Sequence, residues 1–296
     1  MLNVICVNKE YRGNKVVKYT LQDIVDKSNV FNMSADELKF KIRSGHIQVL
    51  NLKLTRDNKL MHNKDSNLIH EQLNSVLVTR DIVCMCNNAE SLKFKVVSNM
   101  TETLNKAKLI GFSVIHNDGR IAVISNHRDY IVVSSLKMKL PIDATKLFSS
   151  LNIKELNLSN IDSSQSKSMR GLFEGSTFGK LILHDFNTDN VTDMSYMFCA
   201  CSAQEYDLST INTSKVTNMQ SMFFANSFTE LDLKHFDVSD VKDMSCIFMV
   251  AKAQKIDIST WKLGDDVNLS ASFFKIKGNN AIIANAYTIK RFEEGK

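Results

Sequence analysis

The chain has 296 residues, 44% of them apolar and 23% charged, with a formal net charge of +5. That length suits one large domain or two ordinary ones. The apolar fraction is that of an ordinary soluble protein, and no run approaches the 18 or more apolar residues of a helical membrane span.

From the N-terminus, residues 2–8 (LNVICVN) and 15–21 (KVVKYTL) alternate like strands. No basic region precedes the first of these and no small-residue cleavage site follows it. It reads as a strand rather than a signal peptide, which predicts a cytoplasmic protein. Ser34-Ala35-Asp36-Glu37 has the form of a capping box and predicts a short helix over 35–43, ending at Gly45. Residues 46–54 read as a strand, 55–58 as a turn and 68–77 as a second helix. The segment 112–125 (FSVIHNDGRIAVIS) predicts a hairpin turning at Asp118-Gly119. The sum is a small α+β domain over residues 1–130. No Gly- or Pro-rich linker follows it, so it is expected to cap the segment that comes next.

From Leu156 a block repeats every 25 residues, five times, without insertion or deletion to residue 280. The first column holds Leu156, Leu181, Tyr206, Leu231 and Ile256, and the third Leu158, Leu183, Leu208, Leu233 and Ile258. Alternation of this kind predicts a short strand with one buried face. Further along each copy, Val191, Met194, Met197 and Phe198 are spaced 0, 3, 6 and 7, and the next two copies repeat the spacing. That spacing predicts a helix of about two turns, with Asp189, Ser214 and Ser239 as caps. The Phe column is complete: Phe173, Phe198, Phe223, Phe248 and Phe273. A degenerate copy covers 131–155, matching at Ile131, Val133, Leu136, Ala144, Leu147 and Phe148. After 280, the strand at Ala281-Ile282-Ile283 leads into a charged C-terminal cap. A fixed period of this size predicts a solenoid over 131–296, an α/β stack of six coils in which each buries its apolar face only against its neighbours.

The third copy, YDLSTINTSKVTNMQSMF, and the fourth, LDLKHFDVSDVKDMSCIF, resemble the BspA-like class of leucine-rich repeat, also described as the DUF285 repeat. The first and last copies depart from its pattern, with Ser166 and Asp266 in place of Val. The resemblance implies a leucine-rich-type solenoid and a binding protein, surface adhesins among them. The stretch 34–60 is similar to short modules in proteins of phages and mobile elements of low-GC bacteria, which implies a cytoplasmic protein made by such an element.

Chemistry-bearing patterns are lacking. There is no Gly-rich phosphate loop, no HExxH and no GxSxG, and none of the seven histidines sits in a metal or nucleophile motif. The pair Cys84 and Cys86 is spaced too closely for the usual metal site. The other four cysteines read as small residues in a reduced compartment. These observations predict a protein without catalytic activity, cofactor or metal, whose partner is another protein. The charge is divided: residues 1–130 sum to +6 and residues 156–280 to −4. On the outward strand face, Asp207, Asp232 and Asp257 stack in one column, with His184 and Lys234 in the next. That strip suits a basic partner, unless the aspartates are turn residues bonded to nearby amides. One concrete form is inhibition of a host defence protein with a basic groove; a surface adhesin is the alternative. A further alternative is nucleic-acid binding through Lys39, Lys41 and Arg43, although such a charge run is commonly a solvated helix face.

Overall fold

The structure, a computed structural model, describes residues 75–87, 89–273 and 281–294, together with four short strands nearer the N-terminus. The chain divides into two compact units, Met1–Thr79 and Arg80–Lys296. Among the described residues strands predominate, and the helices are few and short.

The described strands of the first unit are β1 (Ile5–Asn8), β2 (Tyr11–Arg12), β3 (Lys15–Val16), β4 (Val49–Leu52) and β5 (Ser75–Leu77). β1 pairs parallel with β4, and β2 antiparallel with β3. The expected helix over 35–43, the turn at 55–58 and the basic group Lys39, Lys41 and Arg43 lie outside the described residues. The helix expected over 68–77 is overturned at its end, where residues 75–77 form β5.

The second unit opens with α1 (Arg80–Cys84), β6 (Ser91–Val96) and α2 (Met100–Leu109). The hairpin follows as expected, with β7 (Ser113–Asn117) and β8 (Ile121–Ser125) antiparallel and Gly119 at φ +87° in the turn. Then come β9 (Asp129–Ser134), β10 (Lys137–Lys139), β11 (Asn152–Asn157), β12 (Ile161–Asp162), β13 (Thr177–Ile182), β14 (Ser202–Tyr206), β15 (Glu230–Asp232), β16 (Lys255–Ile258), β17 (Ala281–Ala284) and α3 (Ala286–Glu294).

Seven strands join in the order β14-β13-β11-β6-β9-β8-β7. The boundary expected at residue 130 therefore falls inside β9, in the middle of a continuous sheet. β6 also corrects the expected first coil. Leu92 of β6 pairs with Leu156 on one side and Tyr130 on the other, so β6 takes the place beside β11 that the 25-residue period assigns to 131–133. Helix α2 packs Leu104 and Ala107 on Ala122, Ile124 and Val133. Its start is set by Asn99, whose side chain accepts from the Glu102 N–H at 3.0 Å.

From residue 143 the period governs the backbone. Parallel bridges join Asp143 to Ser168, Ser168 to Asp193, and so on through Asn218 and Asp243 to Asn268. The apolar set Val191, Met194, Met197 and Phe198 is fully buried, but it is not helical. Met194, Tyr196, Phe198 and Ala200 donate their N–H groups to carbonyls of the next repeat, on Asn218, Gln220, Met222 and Phe224. The alternate residues Met197, Cys199 and Cys201 donate three residues back. An eight-residue helix would carry the cost of nucleation for only a few internal bonds. Bonding every second amide to the neighbouring repeat satisfies the same groups. The price is a left-handed residue at two positions per repeat, such as Tyr196 (φ +60°) and Ala200 (φ +51°). Asp189, Ser214 and Ser239 are not caps; their N–H groups donate to Asn187, Asn212 and Asp237 two residues earlier.

The core is an aromatic column. Phe148, Phe173, Phe198, Phe223, Phe248 and Phe273 stack with centroids 5.4–6.0 Å apart and planes within 20° of parallel. Phe94 of β6 closes one end edge-on at 6.2 Å, and Phe292 of α3 closes the other at 4.4 Å. Gly179 marks a close approach in the flanking sheet, because a Cβ there would lie 2.7 Å from the Lys154 carbonyl oxygen.

Four outcomes follow from this packing. Phe198→Ala should lose about 3–5 kcal/mol in chemical denaturation, since it opens a cavity in mid-column. Gly179→Ala should lower stability by about 1–3 kcal/mol by forcing β11 and β13 apart. Val250 is β-branched at φ +51°, so Val250→Gly should raise the melting temperature, by up to about 1 kcal/mol of stability. Asp162 supplies a pH dependence. Burial works to raise its carboxyl, but hydrogen bonds from the Ser164 hydroxyl and N–H and the Lys137 ammonium 3.0 Å away outweigh it and bring it to about 2. A carboxyl depressed below its ordinary value near 4 stabilises the fold above that pH and loses its contribution as pH falls towards 2. The stability gap between wild type and Asp162→Asn should therefore shrink between pH 4 and 2 in acid-unfolding curves.

Candidate functional site

Leu156, Leu181, Leu231 and Ile256 of the first strand column are buried, as the alternation requires. Tyr206 is the exception and is only half-buried. Its ring stacks on Phe228 at 4.4 Å, and its hydroxyl donates to the Glu230 carbonyl while accepting from the Glu230 N–H. The phenol thus engages the main-chain groups at the start of β15 that a neighbouring strand would otherwise pair. Accordingly, β14 and β15 do not pair. The seven-stranded sheet ends at β14, and a separate sheet of β15, β16 and β17 begins beyond it.

The opening extends one joint further back. Leu158 donates to the Ile182 carbonyl at 3.0 Å and Leu233 to the Asp257 carbonyl at 2.9 Å. Among the described residues, the equivalent bonds from Leu183 to Asp207 and from Leu208 to Asp232 are not made. Side chains cross these joints: Thr210 Oγ1 donates to the Leu183 carbonyl at 3.1 Å and His235 Nε2 lies 2.9 Å from the Leu208 carbonyl, as Trp261 Nε1 donates to the Leu233 carbonyl at the intact joint. On the opposite side of the repeats the bridges through Asp193, Asn218 and Asp243 continue unbroken.

Two adjoining concavities lie at this opening. The larger, about 780 Å³, is lined by Glu205, Tyr206, Asp207, Glu230, Asp232 and Lys234 among others. The smaller, about 310 Å³, shares Glu205, Tyr206 and Asp207 and adds Lys180 and His184. Lys180 reaches Glu205 at 2.7 Å, and Lys234 reaches Asp232 at 3.1 Å and Asp257 at 3.7 Å. Hydrogen bonds from the Ser209 hydroxyl and N–H hold the Asp207 carboxyl below its ordinary value. The ion pair with Asp232 raises the Lys234 ammonium. Burial pushes the Tyr206 phenol up. Four carboxylates therefore face two ammonium groups around one opening.

The structure brings Asp207, Asp232 and Lys234 together around the larger concavity and places His184 at the smaller one. Asp257 stands apart: it is 8% exposed and lines neither concavity, and its Oδ1 accepts from the Ser259 N–H and hydroxyl. Asp207 and Asp232 likewise accept from Ser209 and Lys234 N–H groups, so the aspartates are turn residues as well as a charged face. Glu205, Glu230 and Tyr206 were not among the residues expected here. The signal for Tyr206 is visible in its column, where it alone is not aliphatic. Among the described residues, no group of His, Cys, Asp and Glu side chains could hold a metal ion. Cys84, Cys86, Cys199, Cys201 and Cys246 are free thiols, and burial pushes the Cys86 and Cys201 thiols up to about 12. No helix among the described residues is long and apolar enough to cross a membrane.

Parallel bridging at a constant 25-residue offset, with one residue type stacked through six repeats, defines a repeat protein. Residues 142–261 and 167–286 match the model of a family described as Mycoplasma protein of unknown function, DUF285, and the repeat region of the chain belongs to that family. No curated protein and no solved structure matches the chain significantly.

Asp207 and Asp232 are exposed and each secures a turn amide that Asn could also hold. Asp207→Asn with Asp232→Asn should therefore leave stability within about 0.5 kcal/mol of wild type in urea denaturation.

Proposed function

We propose that the chain is a non-enzymatic, protein-binding solenoid of the leucine-rich type, and that it takes a basic segment of a partner protein at the opening between β13 and β15. The observation that carries this reading is the coincidence of an interrupted strand ladder, an open concavity and four carboxylates at one place on an otherwise regular face. A net negative opening attracts a positively charged segment and repels phosphate, which disfavours nucleic acid at this face. Inhibition of a host nucleic-acid-handling protein, whose basic groove would meet these carboxylates, is the narrower form of the proposal. It is consistent with the similarity of residues 34–60 to phage and mobile-element modules.

Affinity capture from host lysate with wild type and with Asp207→Lys/Asp232→Lys in parallel tests the site. A basic protein retained by wild type and lost by the folded variant is the expected outcome. Equal retention by both would remove the opening from consideration. Recovery of cell-wall or host-surface ligands would favour the adhesin reading instead.

A further inference from the structure

We infer that the joint between β14 and β15 is a two-state device: Tyr206 and a pair of like charges hold it open, and without them the two strands pair with each other and the larger concavity closes. Its bearing on function rests on the binding reading above; the joint itself is a property of the free protein. Three observations support it. First, the backbone beside the gap is already set for pairing. Ser227 donates its N–H to the Cys201 carbonyl at 2.9 Å just before the gap, and Phe198 and Phe223 stack at 5.6 Å with planes 7° apart. Leu158 and Leu233 bond the Ile182 and Asp257 carbonyls of the following repeat, whereas the Leu208 N–H does not reach that of Asp232. The repeats therefore need not approach for the strands to meet.

Second, the ladder breaks where its own register would set like charges side by side. Where strands pair, Glu155 lies beside Lys180, Lys180 beside Glu205, and Glu230 beside Lys255. The same 25-residue offset would put Glu205 beside Glu230, with their strands about 4.8 Å apart, and like charges directly opposite destabilise a strand pair. Third, Tyr206 ties down the start of β15 from within the gap. Its ring stacks on Phe228 at 4.4 Å, and its hydroxyl engages the N–H and carbonyl of Glu230. A Leu side chain has no such hold. At the same place in the neighbouring repeats, Leu181 and Leu231 lie in paired strands.

Amide hydrogen exchange of the whole chain tests the joint. It is read at Leu208, whose N–H meets the Asp232 carbonyl only in the closed state, relative to Leu233, which is bonded in both. Tyr206→Leu/Glu230→Gln should slow exchange at Leu208 by at least about tenfold relative to Leu233. Tyr206→Leu alone should give part of that slowing. The fold of each variant is checked by its urea midpoint. Unchanged relative exchange at Leu208 in both folded variants would overturn the two-state joint and leave the binding reading untouched. Equal slowing in the single and the double variant would overturn the part assigned to Glu205 and Glu230. A basic protein captured by wild type should be lost by a variant whose Leu208 amide is slowed. Its retention by that variant would instead remove the opening as the binding site and leave the joint standing.

Discussion

Stacking of Phe148, Phe173, Phe198, Phe223, Phe248 and Phe273 is the interaction on which the rest of the second unit depends. A planar side chain stacked at 5.4–6.0 Å leaves little freedom in the rise between repeats, and that rise sets how the backbone can bond. Offset, slightly tilted rings at that separation fit backbones about 4.8 Å apart, and each repeat donates to the next along the turn side. The 25-residue period is therefore a packing constraint. One residue more or less would move the Phe out of the column and every bond in that repeat out of register.

Because each repeat is bound mainly to its neighbours, the column has to be closed at both ends. Phe94 and Phe292 do this edge-on, from elements outside the repeats. At the first end the closure extends to the sheet, where β6 enters beside β11 and carries β9, β8 and β7 with it. At the other, β17 and α3 close the stack. Asn285 donates to the Ser259 and Trp261 carbonyls and Thr288 to that of Trp261, so two main-chain acceptors near the start of the last repeat are met.

The opening at Tyr206 is a departure from an otherwise regular stack. Regularity on the Phe side holds the repeats in position while the strand side departs from the pattern. Tyr206 causes that departure by occupying the Glu230 main chain with its phenol and its ring by stacking on Phe228. The carboxylates of Glu205, Asp207, Glu230 and Asp232 then surround a concavity rather than a flat sheet.

Much of this was legible from residue spacing. The column positions predicted which side chains are buried, and Leu156, Met194, Phe198 and Ile258 are all buried as expected. The hairpin at Asp118-Gly119 was legible because its turn chemistry is local. The backbone of the Met-Phe segment was not, since an apolar spacing of 0, 3, 6 and 7 is met equally by a helix and by alternating turns. The choice between them depended on where the amides of Met194, Tyr196 and Phe198 find acceptors, and those acceptors lie 24 residues further along the chain. Helix α2, overlooked beside the repeats, was written locally in Asn99 and Glu102. The sequence by itself determined the period, the buried columns and the excess of carboxylate on the strand face, because these depend on residue type and count. Only the tertiary structure decided that β6 supplies the strand beside β11 and that the ladder opens at Tyr206. Both depend on competition between distant segments for the same backbone hydrogen bonds, and no local spacing records the result.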